Sequence, residues 1–162
     1  MYYTGIGSRE TPTNVCKEMT GIARVLESFG YTLRSGGAGG ADEAFEKGAD
    51  NAEIFLPWDG FRGRYIDHKR FLIWIPEAKK IAATIRKDFK EMGSRSKRFH
   101  TRNVHQVLGQ DLNTPSKFLI CWTKDGKPSG GTATAMKLAR RHKIPVINLH
   151  NEPFPLHRFI NI

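Results

Sequence analysis

Residues 31–49 read YTLRSGGAGGADEAFEKGA. Tyr31 to Arg34 is a short β-prone run, Ser35-Gly36-Gly37-Ala38-Gly39-Gly40 is a glycine-rich loop, and Ala41 to Ala49 has the composition of a short helix. A strand that turns through glycine into a helix opens a parallel β-α-β unit, because parallel neighbours are joined by a crossover and not by a hairpin. The loop then stands at the carboxyl end of its strand. Glycine there lets a ligand approach the backbone, and N–H groups at a helix start point toward bound anions.

The same grammar continues on both sides. Upstream, Met1 to Ile6 is β-prone and opens into Gly7-Ser8-Arg9. In Thr11-Pro12-Thr13-Asn14 either Thr13 or Asn14 suits a helix cap. Val15, Met19, Ile22, Ala23, Leu26 and Phe29 then recur at helical spacing until Gly30 stops the helix. Downstream, Ala52 to Leu56 reads as a third strand closed by Pro57. Lys117 to Trp122 is a nearly continuous apolar run, as expected of a strand buried on both faces. It leads through Asp125-Gly126 to Ser129-Gly130-Gly131-Thr132, and Ala135, Leu138, Ala139 and His142 mark the next helix face. Pro145 to Leu149 forms a last strand, leaving Asn151 to Ile162 as a tail. This alternation predicts an α/β, Rossmann-like three-layer domain with a mainly parallel sheet and helices on both faces. Residues 1–162 are read as one domain.

The 26 Lys and Arg residues against 16 Asp and Glu give a net charge of +10, which attracts anions broadly. The excess is local. Between Pro57 and Arg102 stand 13 basic and 5 acidic residues, a balance of +8, together with Trp58, Phe61, Tyr65, Phe71, Trp74, Phe89 and Phe99. Residues 58–100 read as an insertion-like segment. Within it Ile81, Ile85, Phe89 and Met92 line one side of a helix, with Lys79, Lys80, Arg86, Lys87 and Lys90 largely off that side. Such a helix reads as amphipathic with a solvated basic face. Basic residues interleaved with aromatics also suit phosphates paired with Lys or Arg and bases that stack. No apolar run reaches the length of a membrane span, and the first residues lack a signal-peptide pattern. Cys16 and Cys121 have no CxxC partner, so a reducing, cytoplasmic location is expected.

Three strand ends therefore carry small residues: Gly7-Ser8-Arg9, the Ser35, Gly36, Gly37, Ala38 loop, and Ser129-Gly130-Gly131-Thr132. In a parallel sheet such ends converge on one edge, where ligands sit. Arg9 adds a guanidinium suited to a bidentate phosphate contact. Asp42 has two readings: helix-end electrostatics, or acceptance of hydrogen bonds from a ribose hydroxyl. Arg102-Asn103 precede Val104, Val107, Leu108 and Leu112, so Asn103 reads as an N-cap and Arg102 as pointing from a helix start toward the same edge. His100 and His105 are five apart and fit no common metal-ligand spacing. No metal and no cofactor is expected, and no catalytic residue is assigned.

Taken in order, Gly7-Ser8-Arg9, Ser35 to Asp42, Arg102-Asn103 and Ser129 to Ala135 resemble the SLOG superfamily, which includes the DNA-processing protein A (Smf) family and the lonely-guy phosphoribohydrolases. The resemblance covers roughly residues 3 to 149, and 58 to 100 stand outside it. It implies a Rossmann-like fold with nucleotide or nucleic acid bound at these loops. Lonely-guy enzymes cleave the N-glycosidic bond of a nucleoside monophosphate with an Arg and a Glu, the Glu closing P-G-G-x-G-T-x-x-E. Laid on Ser129 to Lys137, that motif has Ser129 for Pro, Ala133 for Gly and Lys137 for Glu, and a lysine supplies no carboxylate. The DNA-processing pattern S-G-[SG]-x-x-T-A is closer to Ser129-Gly130-Gly131-Thr132-Ala133-Thr134-Ala135. Members of that kind bind single-stranded DNA and help load a recombinase.

The expected function is binding of a nucleotide or nucleic-acid phosphate at the glycine loops. The partner is a nucleotide-derived small molecule or single-stranded nucleic acid, not a membrane, and self-association of the chain is left open. The enzymatic alternative is a nucleotide N-glycosidase using Asp42, Glu43 or Glu46 in place of the missing glutamate. A recombination-mediator-like single-strand-binding protein is a further alternative, and an interaction protein with a degenerate pocket is another.

Overall fold

The computed structural model describes residues 1–160. β1 (Tyr2–Gly5), α1 (Thr13–Ser28), β2 (Thr32–Ser35), α2 (Ala41–Lys47) and β3 (Ala52–Leu56) come first. They are followed by β4 (Phe71–Ile73), α3 (Glu77–Ile85), α4 (Ser94–Leu108), β5 (Leu119–Cys121), α5 (Thr132–Arg141), β6 (Val146–Asn148) and α6 (His157–Ile160). The six strands form one sheet in the order β4-β3-β2-β1-β5-β6, and every neighbouring pair is parallel. This is a Rossmann-like α/β fold.

Alternation along the strands feeds two cores. On one face Tyr3, Leu33, Ile54 and Ile120 pack with Met19, Ala23 and Leu26 of α1 and Phe45 of α2. On the other, Leu119 and Cys121 meet Ala78 and Ala82 of α3, Val104 and Val107 of α4, and Met136 and Leu138 of α5. β5 thus sends Ile120 to one side and its two neighbours to the other, which is why its sequence is apolar throughout.

Several local expectations are corrected. Pro12, not Thr13 or Asn14, stands before α1, and no side chain caps that helix; the fixed φ of proline suits a helix start. Phe29 is the residue after α1 and is exposed. The helix carrying Ile81 ends at Ile85, and Phe89 sits on a separate 3-10 turn. All four residues of that apolar set still pack on the second core. His142 follows α5 and is exposed. The tail forms α6, with Phe159 packed on Phe118 and Phe154; residues 161–162 of that tail lie outside the described residues. Residues 58–100 supply the edge strand β4, all of α3 and the start of α4. Among the described residues no helix is long and apolar enough to cross a membrane.

Candidate functional site

The chain leaves β1 toward β2, β3 and β4, and resumes at β5 on the other side of β1. Carboxyl-end loops diverge at such a switch point and leave a crevice. Here the crevice is a cleft of about 740 Å³, reached by Gly7, Ser8 and Arg9 after β1 and by Thr123 and Lys124 after β5. Ser8 N–H still bonds Trp122 O (3.1 Å), so the two loops part only beyond that pair.

Gly40 brings the second loop against the first. Its φ is +74°, and a Cβ there would meet Ser8 O at 2.6 Å and Arg9 Cα at 2.7 Å. Ser8 O instead accepts from Ala41 N–H (3.3 Å), tying loop one to the start of α2. At Gly36 the constraint is on side chains, since a Cβ would displace the Gln106 amide and the Arg102 guanidinium.

Arg102 and Asn103 lie in the second half of α4, not at its start, and Asn103 caps nothing. They nonetheless reach the predicted edge. Arg102 is 5% exposed and donates from Nη1 to Gly36 O and Phe55 O (3.1 Å) and from Nε to Asn103 Oδ1 (2.7 Å). Asn103 Nδ2 donates to Gly131 O (2.8 Å). One side-chain pair therefore links the second glycine loop to the third. Nη2 of Arg102 has no protein partner among the described residues and is left to the cleft. Burial lowers the Arg102 pKa to about 10, Asp42 acting against the fall and Arg9 with it. The guanidinium stays charged at neutral pH.

Asp42 is 4% exposed, lines the cleft and accepts from Ala38 N–H (3.3 Å). Burial pushes its carboxyl above the usual range, while the Arg102 charge and the Ala38 N–H pull it back. Glu43 and Glu46 are engaged elsewhere, with Arg62 (3.3 Å) and Arg64 (2.9 Å).

Of the expected residues, Gly7, Ser8, Arg9, Ala38, Asp42, Arg102, Asn103 and Ser129 to Thr132 all border the cleft. Ser35, Gly36 and Gly37 do not. Ser35 Oγ donates to Gly5 O (2.6 Å), and the carbonyls of Gly36 and Gly37 accept from Arg102 and Arg62. These three shape the loop from behind. The sequence reading missed Phe61, Arg62, Arg95, Phe99, His100 and Lys124, which also line the walls, as do Gln106 and the exposed Glu10, 3.9 Å from Lys124. Arg102 sits over the rings of Phe99 (5.3 Å) and Phe61 (5.8 Å). Arg9 and Arg95 have no ion-pair partner among the described residues. Only the basic, aromatic composition of 57–102 signalled this wall, without singling out positions.

Nδ1 of His100 lies 2.8 Å from Thr134 Oγ1 and its Nε2 3.4 Å from Arg86 Nη1. A guanidinium only donates, so Nε2 accepts and Nδ1–H donates to Thr134. Burial first, then Arg86, pushes this imidazole down to about 4. His105 is equally enclosed: Nε2 accepts from Ile75 N–H (3.0 Å) and Nδ1 donates to Gly109 O (2.9 Å). No group of three or more His, Cys, Asp or Glu among the described residues is placed to hold a metal ion.

No family model and no curated protein matches this sequence. A solved structure does. DNA processing protein A from Helicobacter pylori, described for its single-stranded DNA binding mode, matches with a TM-score of 0.54 at 16% identity. The match covers 91% of this chain and 64% of that one, so this chain spans under two thirds of its length. The two share a fold.

Proposed function

We propose that the cleft binds the phosphate of a nucleotide or of a nucleic-acid strand, and that the chain is a SLOG-type binding protein. One observation carries the reading: three glycine loops border one cleft, and the buried Arg102 guanidinium, bonded to the second loop and tied to the third through Asn103, leaves its Nη2 open to it. Arg9 and Arg95, without acidic partners, add two cations at the walls. A fixed guanidinium beside exposed glycine backbone, with two further cations at the walls, suits the several oxygens and charge of a phosphate. The shared fold with a single-stranded-DNA-binding protein supports a nucleic-acid occupant, as does the +8 balance of residues 57–102. Such a ligand and two free cysteines suit the cytoplasm.

The test is a titration of thymidine monophosphate and of fluorescent dodecathymidylate against wild-type protein and Arg9→Gln. Arg9 is exposed and makes no ion pair, so its loss should spare the fold. At least one ligand should bind, and Arg9→Gln should weaken it about tenfold, as loss of a charge-assisted phosphate contact does. Wild-type protein that binds neither ligand at about 50 mM salt contradicts the reading.

Asp42 supports a second reading, a nucleotide N-glycosidase, because it is the buried carboxyl that faces the cleft. Binding is preferred because that carboxyl is already committed to Ala38 N–H and to the Arg102 charge.

A further inference from the structure

A second concavity of about 710 Å³ lies behind the aromatic wall of the cleft. Trp58, Trp74 and Phe89 line it together with Lys79, Lys97 and Arg98. The partition is thin. Trp58 packs edge-on against both Phe61 and Phe99 of the cleft, with ring centroids 5.3 Å apart in each case. The first turn of α4 straddles it, sending Arg95 and Ser96 to the cleft and Ser94, Lys97 and Arg98 to the second concavity. That turn follows Gly93, has no side-chain cap and holds no acidic residue, so the positive end of its dipole adds to the charge of Arg95, Lys97 and Arg98.

The second concavity has the two things a nucleotide unit needs. Trp58 and Trp74 are half-buried, and the Trp74 indole N–H is already satisfied by Pro57 O (2.9 Å), so that indole meets a ligand through its ring and not through its donor. A cation lies over each ring, Lys79 Nζ 4.7 Å from the Trp74 centroid and Arg95 Cζ 5.0 Å from that of Trp58, so a phosphate that draws the cation away exposes a face for a base. The acidic residue on this wall, Asp59, is held by Ile66 N–H (2.9 Å). Aromatic faces flanked by Lys and Arg stack bases and pair phosphates with little regard to sequence.

We propose that this concavity is a second subsite, taking the base and phosphate of a nucleotide next to the one at the glycine loops, so that the occupant is a single strand and not a mononucleotide. The inference rests on the phosphate-binding reading of the first cleft. Its track runs from Arg9 and Arg102, past Phe99 and Arg95, to Trp58, Lys97 and Trp74.

The experiment compares wild-type protein, the triple variant Lys79→Gln/Lys97→Gln/Arg98→Gln, and Arg9→Gln. Each is titrated with thymidine monophosphate, dodecathymidylate and polyglutamate while tryptophan fluorescence is followed. Lys79 and Arg98 are exposed and none of the three lines the first cleft, so the triple variant should keep its fold, checked by circular dichroism. Wild type should bind dodecathymidylate at least tenfold tighter than the monophosphate, with quenching by the oligomer alone. The triple variant should lose that advantage and about two units of log–log salt slope, near 0.7 per phosphate contact, while its monophosphate affinity stays within twofold. If the oligomer binds both proteins alike, or only the monophosphate binds, the second subsite is wrong and the first stands, provided Arg9→Gln weakens what does bind. Equal binding of polyglutamate, without quenching, also overturns it. No binding of either nucleotide ligand overturns both.

Discussion

Asn103 holds Arg102 by its side: Oδ1 accepts from Arg102 Nε at 2.7 Å while Nδ2 donates to Gly131 O at 2.8 Å. The two are neighbours in sequence on a buried stretch of α4, and through them that helix fixes the spacing of two glycine loops. Rotating Arg102 by even one bond would break its contact with Gly36 O and re-aim Nη2. Preorganisation of the cleft therefore rests on an amide, not on an acid.

Asn103→Ala should show this. Arg102 Nε would lose its acceptor in a buried position, costing on the order of 1–3 kcal/mol, whereas the exposed Gly131 carbonyl finds water. Urea unfolding should register the loss, and phosphate-ligand affinity should fall about tenfold with it. Unchanged affinity in a folded variant would show that Arg102 needs no such guide.

The strand-loop-helix units were legible because each carries its own local signal: β1 and β2 as short β-prone runs, β3 and β5 as largely apolar ones, and the loops as glycine. Arg102 was placed at the right edge for the wrong reason. Ser94 to Arg98 has no apolar residue, so the start of α4 has no periodicity to read, and Asn103 looked like the first capping residue. β4 was missed although Phe71-Leu72-Ile73-Trp74-Ile75 is a β-prone run closed by Pro76. The aromatic wall was legible only as composition, because Phe61, on a 3-10 turn after β3, and Phe99, on α4, meet only when those two elements pack together.

Gly40 and Gly131 should separate structural from ligand-facing glycine. Gly40→Ala forces a Cβ against Ser8 O and Arg9 Cα at a φ of +74°, so it should destabilise the protein by roughly 1–3 kcal/mol. A Cβ on Gly131 meets nothing within 4 Å, and its φ of −65° suits any residue. Gly131→Val should therefore keep the wild-type melting temperature within a few degrees while weakening phosphate-ligand binding tenfold or more. Normal binding by a folded Gly131→Val protein would remove the third loop from the site.

Acid stability should carry a histidine signature. His100 is held near 4 in the folded chain against about 6.5 when unfolded, so the unfolded chain takes up the proton first as pH falls. The stability from this group is full above about pH 6.5, is lost on the way down to about 4, and totals on the order of 3 kcal/mol. His105, also lowered by burial, acts in the same direction. Asp67, Asp88, Asp111 and Asp125 are lowered by hydrogen bonds, and their contribution is lost only below the usual carboxylate range. Urea midpoints between pH 7 and 4 should fall steeply for wild type and less steeply for His100→Gln. Parallel curves would mean that His100 titrates normally in the fold.

Catalysis of N-glycosidic cleavage is not expected. An oxocarbenium-like centre needs a carboxylate placed against the sugar and free to act on it. Lys137, at the position where the lonely-guy motif has its glutamate, is exposed on α5 and does not border the cleft. Glu43 and Glu46 are paired with Arg62 and Arg64. Asp42 does face the cleft, but Oδ2 already accepts from Ala38 N–H, and the Arg102 charge beside it offsets its own. A carboxylate so engaged suits a ribose hydroxyl better than a developing cation. Purified protein incubated with adenosine, guanosine, cytidine and uridine monophosphates should release no free base above a buffer blank by chromatography. Steady release that disappears in Asp42→Ala, with the fold intact, would turn the cleft from a binding site into an active site.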